Sequence, residues 1–126
     1  MEAYGALLLR VTLGGIFIMH AWKLLFLWGP GDTVAFEHSY ALPLRPVSFW
    51  YVVLAHGVGG VLLALGVLVR WVALLNVPVL VSLVFVVHAR QGFFMTRDGG
   101  YELALFTLLA TLAQALLGPG AFTLKR

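Results

Sequence analysis

The sequence contains no cysteine among its 126 residues. A disulfide framework is therefore excluded, and so is any thiol–disulfide relay carried by this chain. If the protein takes part in redox chemistry, its electrons must travel on a quinone, on a metal or on a partner protein.

Charged residues are also scarce, because they make up 10% of the chain while apolar residues make up 62%. Soluble domains contain about 25% charged residues, and a soluble fold of this length could not bury so much apolar surface. The net charge of +3 is small, and no basic stripe with interleaved aromatic residues indicates a nucleic-acid partner. Composition therefore predicts an integral membrane protein that has the lipid bilayer as its solvent.

Long apolar runs take up most of the chain, and a helix needs about 20 such residues to cross about 30 Å of hydrocarbon. The runs predict spans at about residues 4–28, 49–69, 71–89 and 101–117. Glycine and proline at 29–31 end the first run, and the same residue types at 118–120 end the last. The sequence thus predicts an all-α, antiparallel four-helix bundle that forms a single transmembrane domain over residues 1–126.

Two connections between the runs differ greatly in length. The second and third runs meet at Arg70, which predicts a tight hairpin. The connection after the first run is the longest, and Asp32 within it can cap a short helix. We expect this helix to lie along the membrane interface and to end before Pro43.

Small residues form a second pattern in the first two runs. Gly14 and Gly15 lie in the first run, and Gly60 and Ala64 have small-xxx-small spacing in the second. Such residues let membrane helices approach closely. The pattern predicts a tight contact between these two helices.

Ionisable residues inside a bilayer are costly and usually mark a functional site. Most of those in the predicted spans lie toward the end of the bundle that carries the long connection: His20, Lys23, His56, His88 and Glu102. His20 and His56 both lie roughly 10–12 Å below the same interface, at a rise of about 1.5 Å per residue. Arg10 lies nearer the opposite end, where we expect it to reach lipid headgroups or Glu2.

Three chemistries fit this polar cluster. In a quinone pocket, His20 or His56 would hydrogen-bond a carbonyl oxygen while Glu102 passes protons, since imidazole gains and loses a proton near neutral pH. Three histidines and a carboxylate could also ligate a metal, but no pair has the local spacing of a metal motif, so no metal site is predicted. A substrate or ion path through a small transporter is the third reading.

The plainer interpretation is that these groups only hold the helices together. Lys23 would pair with Glu102, and His20 would bond a backbone carbonyl, which fixes the register of neighbouring helices. Lysine near a helix end also commonly extends its ammonium group to the interface.

Several short motifs follow one another along the chain in a specific order. Residues 8–17 read Leu-Leu-Arg-Val-Thr-Leu-Gly-Gly-Ile-Phe, and residues 20–24 read His-Ala-Trp-Lys-Leu. Residues 59–70 read Gly-Gly-Val-Leu-Leu-Ala-Leu-Gly-Val-Leu-Val-Arg. His88 and the glycine-containing motifs at 92–94, 99–102 and 118–120 complete the order, which resembles that of the DoxX family of small prokaryotic membrane proteins.

The resemblance covers essentially the whole chain, with two departures. Many members of the family have glutamate where this chain has His56, and glycine where it has Ala21. The first departure keeps a protonatable group but changes its charge, so it argues against a mechanism that needs a carboxylate in the second span.

The resemblance implies a four-helix bundle in a prokaryotic cell membrane, in association with membrane oxidoreductases. Some relatives are linked to thiosulfate:quinone oxidoreductase, and others to complexes with sulfurtransferase and superoxide dismutase. We therefore expect a membrane subunit of a respiratory or sulfur-linked oxidoreductase, with other oxidoreductase subunits as partners. A quinone or lipid-like cofactor would bind near the five polar residues. A non-catalytic anchor or assembly subunit, a small transporter and a homo-oligomer remain as alternatives.

Overall fold

The computed structural model describes residues 1–32, 35, 47–97 and 99–124 of the chain. The all-α prediction is confirmed for this part of the chain, which folds into helices joined by turns. The interfacial helix expected after Asp32 falls largely outside the described residues.

The main helices of the described residues are named α1 to α4 in chain order. They run over Glu2–Asp32, Val47–Leu65, Val69–Val87 and Glu102–Leu117. Gly29 breaks α1 with a φ of +80°, at the position where the glycine–proline motif was expected to end it. The turn between α2 and α3 comes earlier than expected, because Gly66 has a left-handed φ of +78°. Arg70 therefore lies in the first turn of α3 and does not close α2.

The three longer helices are long and apolar enough to cross a membrane, and α4 is a shorter apolar helix. At about 1.5 Å per residue, the 16 residues of α4 extend for about 24 Å, less than the hydrocarbon thickness of about 30 Å. Large apolar side chains point outward from the bundle, as Leu8, Phe106 and Leu116 show at 71%, 70% and 81% exposure. This outer surface is typical of helices that face lipid.

Glycine packing brings α1 and α2 together. A methyl group at Gly14 would lie 2.6 Å from the carbonyl oxygen of Gly60 and 3.0 Å from Cβ of Ala64. At Gly15, by contrast, a methyl group would meet no atom within 4 Å. The predicted close contact is therefore confirmed, with Gly14 and not Gly15 as the residue in the first helix that permits it.

Each of the three longer helices contains one π-helical segment. These segments are Leu24–Trp28 in α1, Leu54–Val58 in α2 and Leu83–Val87 in α3. The segment in α2 contains His56, the one in α3 ends directly before His88, and the one in α1 begins four residues after His20. A π-helical turn is rare and occurs frequently at functional sites.

Candidate functional site

His20 of α1 and His56 of α2 lie next to each other where the two helices meet. Their ring centroids are 6.1 Å apart and the rings meet edge to face. Phe17, one turn before His20, packs against the other side of His56 at 4.6 Å. The equal depth expected for the two histidines thus agrees with their positions, and we call this region the histidine end of the bundle.

The ring of His56 is buried, with 3% of its surface exposed. Its Nδ1 atom has no hydrogen-bond partner among the residues that the structure describes. The side chain of Asn76, from α3, interacts with this ring and is fully buried. Asn76 Nδ2 donates to the carbonyl of Val72 at 2.9 Å, whereas Asn76 Oδ1 is also without a partner in the described chain. Two neighbouring side chains therefore each present an unsatisfied polar atom in the interior.

His20 differs from His56 because its side chain is exposed on the outer surface of the bundle. Its Nδ1 lies 2.9 Å from the carbonyl oxygen of Ile16, one turn earlier in α1. This bond is the backbone contact expected if His20 served packing. The Nε2 side of the ring is the part of His20 that a ligand could use.

Lys23 and His88 contact residues close to them in sequence. The ammonium group of Lys23 lies 5.1 Å from the ring centre of Trp28, a cation–π contact within α1. His88 Nδ1 lies 2.5 Å from Gln91 Oε1, just after α3 ends.

Glu102 begins α4 and is exposed. Its Oε2 accepts a hydrogen bond from the backbone N–H of Met95 at 3.2 Å, while its own N–H donates to the carbonyl of Phe93 at 2.9 Å. The carboxylate therefore holds the preceding loop against the start of α4, where a negative charge also suits the helix dipole.

The structure brings His20 and His56 into contact, and it places the other three predicted site residues against local partners. In the described ranges, no three histidine, aspartate or glutamate side chains lie close enough to hold a metal ion.

Arg10 lies nearer the opposite end, as the sequence indicated, but the expectation that it reaches headgroups or Glu2 is wrong. Its side chain is only 1% exposed and points inward. Nε donates to the carbonyl of Ala64 at 3.4 Å, Nη2 donates to that of Phe122 at 2.6 Å, and Nη1 donates to that of Pro119. Three backbone carbonyls thus surround the guanidinium group, which explains how a charge is accommodated there.

Residues 118–124, which we call the C-terminal strap, supply two of these three carbonyls. The strap also bonds to the helices, since Ala121 N–H donates to Ala3 and Leu124 N–H donates to Leu65, at 2.9 and 3.3 Å. Gly66 makes room for the arginine, because a methyl group there would lie 2.9 Å from Arg10 Cζ. We call this region the strap end of the bundle.

An open cleft of about 590 Å³ lies at the strap end. Its walls come from the start of α1, from the start of α3 and from the strap. The lining residues are Glu2, Ala3, Ala6, Leu68, Val69, Arg70, Trp71, Leu117, Pro119 and Gly120. The cleft therefore contains charged groups of both signs, Glu2 and Arg70.

Comparison with known proteins gives one match. The profile of the DoxX family matches residues 5–89, which is more than half of the chain and includes both members of the histidine pair. Neither a curated protein nor a solved structure matches the chain.

Proposed function

The chain belongs to the DoxX family, and we propose that it is a membrane subunit of an oxidoreductase complex that holds a quinone or similar lipid-like cofactor beside His20 and His56. The observation that carries this proposal is a pair of buried atoms, His56 Nδ1 and Asn76 Oδ1, for which the described residues supply no hydrogen-bond partner.

Buried polar atoms in proteins are almost always hydrogen-bonded, and this demand is stronger where lipid surrounds the helices. The two side chains also interact with each other, and we propose their two atoms as the point where a further polar partner binds. The oxygen atom of a quinone or quinol is suitable, because an imidazole nitrogen can donate or accept a hydrogen bond and an amide oxygen accepts one.

The surroundings of His56 also suit a flat, apolar molecule. Phe17 and His20 both place an aromatic ring against His56, and the ring of His20 is exposed. A cofactor dissolved in the bilayer would reach His56 from this side. The π-helical segment that contains His56 is a further feature typical of functional sites.

A quinone would carry the electrons, because a chain without cysteine has no thiols that could do so. His56 would hold one oxygen atom, and His20, whose side chain is exposed, would exchange protons there. We assign Lys23, His88 and Glu102 to the proton supply of the same end of the bundle. The electrons would come from partner subunits of the complex.

The proposed site requires the antiparallel order of helices that the sequence predicts. Contacts between α1 and α2 support this order, because Gly14 packs against Ala64 while Ala21 packs against Gly57. Residue numbers rise along one helix as they fall along the other. Residues from the C-terminal part of α1 and from the N-terminal part of α2 therefore belong to the same end of a bundle in the cell membrane.

The test is to extract the protein from its native membrane in mild detergent and to measure co-purifying subunits and quinone by mass spectrometry. We expect a redox subunit in constant ratio and a quinone that falls about tenfold in His56→Leu, the loss expected for one buried hydrogen bond. Asn76→Leu should lower quinone content too. Gln114→Leu is the matched control, because Gln114 is an equally buried amide with an unpaired oxygen but bonds to Gly118. Unchanged quinone content in both His56→Leu and His20→Ala would refute the pocket.

A non-catalytic anchor is the second candidate function. It is favoured by the local contacts of Lys23, His88 and Glu102, each of which contacts a residue close to it in sequence. Under this alternative, the redox subunit would co-purify with wild type and with His56→Leu alike, and neither preparation would contain quinone.

A further inference from the structure

The cleft at the strap end lies at the other end of the bundle from His20 and His56 and has a different chemical character. Glu2 from α1 and Arg70 from α3 line it together, and both side chains are exposed. A ligand that satisfies both must carry a cationic and an anionic group.

The cleft has a fixed wall because the strap is held in place. Arg10 bonds to the carbonyls of Pro119 and Phe122, so the strap backbone cannot move away without breaking these bonds. The strap also passes directly beside Arg70, since a methyl group at Gly118 would lie 3.1 Å from Arg70 Nε. The guanidinium group of Arg70 therefore lies against the strap, at the edge of the cleft.

The cleft lies at the level where the headgroup of a membrane lipid is expected. Helices α1 and α3 both begin there, and the ends of spanning helices lie at the membrane surface. Trp71, on the cleft wall, is 69% exposed, and exposed tryptophan is typical of the interface between water and lipid. Leu117 on the cleft wall and Leu116 before it present an apolar surface, at 53% and 81% exposure, along which an acyl chain can lie.

We propose that this cleft binds the headgroup of a zwitterionic phospholipid of the phosphoethanolamine type. The phosphodiester pairs with Arg70, which can bond it through two N–H groups, and the primary ammonium pairs with Glu2. A purely anionic headgroup would meet repulsion from Glu2, and a bulky quaternary ammonium has no N–H to donate to the carboxylate.

The proposal is tested with delipidated full-length protein and mass spectrometry of bound lipid. Phosphatidylethanolamine, phosphatidylglycerol and phosphatidylcholine are each titrated, and free glycerophosphoethanolamine is the soluble competitor. We expect phosphatidylethanolamine to bind in preference to the other two, and the competitor to bind more weakly because it has no acyl chains.

Two variants separate the two contacts. Arg70→Gln should weaken binding of phosphatidylethanolamine and phosphatidylglycerol alike, by about threefold to fivefold for an exposed pair. Glu2→Gln should remove the preference for phosphatidylethanolamine over phosphatidylglycerol while leaving binding of phosphatidylglycerol intact or stronger. Arg90→Gln is the matched control, since Arg90 is an exposed arginine beyond the other end of α3.

Several outcomes would overturn the proposal. Equal binding of phosphatidylglycerol in wild type, with no effect of Glu2→Gln, would make the cleft a simple anion site. A loss in Arg90→Gln as large as that in Arg70→Gln would reduce the effect to net charge. Competition by glycerophosphoethanolamine at the same concentration as the lipid would assign the cleft to a soluble zwitterion. Because Glu2 and Arg70 do not touch the histidine pair, quinone content should stay unchanged in these variants.

Discussion

At the strap end, the buried guanidinium of Arg10 faces three backbone carbonyls, whereas at the histidine end the buried ring of His56 leaves Nδ1 without a described partner. Arg10 carries a permanent charge and donates to three backbone carbonyls. The imidazole of His56 costs less to bury than a guanidinium group, yet one of its nitrogen atoms has no hydrogen-bond partner among the described residues. The difference teaches that the more costly polar group is not always the functional one, since the protein itself can satisfy it.

The backbone shows the same division. The glycine contacts between α1 and α2 lie in regular α-helix at Gly14 and Gly60. Each π-helical segment of the described helices lies toward the histidine end, where the regular ladder of hydrogen bonds is interrupted. We infer that the strap end stabilises the bundle and that the histidine end gives up some regularity for binding.

Of the substitutions that test this difference between the two ends, Arg10→Met is expected to have the largest effect on stability. The change removes the guanidinium and leaves three carbonyls without their donor, so we expect the free energy of unfolding to fall by about 3–5 kcal/mol. Thermal unfolding in detergent measures the loss, and limited proteolysis should show the strap becoming accessible. Arg90→Met, on the exposed surface, should change stability by less than about 0.5 kcal/mol. A strap that stays protected from proteolysis in Arg10→Met would contradict the role of Arg10 in holding the strap.

Adjacent glycines allow a matched test of packing. Gly14→Ala places a methyl group 2.6 Å from the carbonyl oxygen of Gly60 and should destabilise the protein by about 1–3 kcal/mol. Gly15→Ala meets no atom within 4 Å and should stabilise α1 by up to about 1 kcal/mol. Unfolding of the two variants in the same detergent checks the difference. Equal losses would mean that helix propensity, and not contact with α2, sets the role of Gly14.

Gly14 and Arg10 show which contacts can and which cannot be predicted from the sequence. The contact of Gly14 with Gly60 and Ala64 follows from small-xxx-small spacing, which is a local pattern. The bonds of Arg10 join residues 109 and 112 positions apart, and no periodicity connects such distant positions. The glycines of the strap were interpreted only as the end of a helix, so the acceptors of Arg10 were missed.

The histidine end was more accessible to prediction because depth in a membrane can be counted from span ends. Counting placed His20 and His56 at one level, and their rings lie 6.1 Å apart. Counting gives depth but not the direction in which a side chain points around the helix. That is why Lys23 and Glu102 were expected to face each other, while the structure places them against Trp28 and Met95.

Asn76→Leu should separate stability from binding at the histidine end. The change removes a buried oxygen that has no partner in the described chain, together with one bond to the carbonyl of Val72, so the free energy of unfolding should stay within about 1 kcal/mol of wild type. Quinone content should nevertheless fall. Gln114→Leu at the strap end should lower the free energy of unfolding and leave quinone content unchanged. It removes the donor to the carbonyl of Gly118 but does not alter the histidine pair. A loss of several kcal/mol in Asn76→Leu would indicate that Asn76 belongs to the structural part of the core.

The smallest effect on stability is expected from Glu102→Gln. Glutamine keeps an oxygen that can accept the N–H of Met95, so the loop stays closed and the free energy of unfolding should change by less than about 0.5 kcal/mol. Only the ability to take up and release a proton is lost. If Glu102 accepts the protons that a quinol releases when it is oxidised, quinol oxidation by the purified complex slows and its pH dependence changes, while the amount of bound quinone stays constant. Glu102→Ala is the contrasting variant, because it removes both the acceptor and the titration and should also loosen the loop. Wild-type turnover at every pH in Glu102→Gln would limit the carboxylate to its contact with Met95 and would leave His20 as the proton carrier of the histidine end.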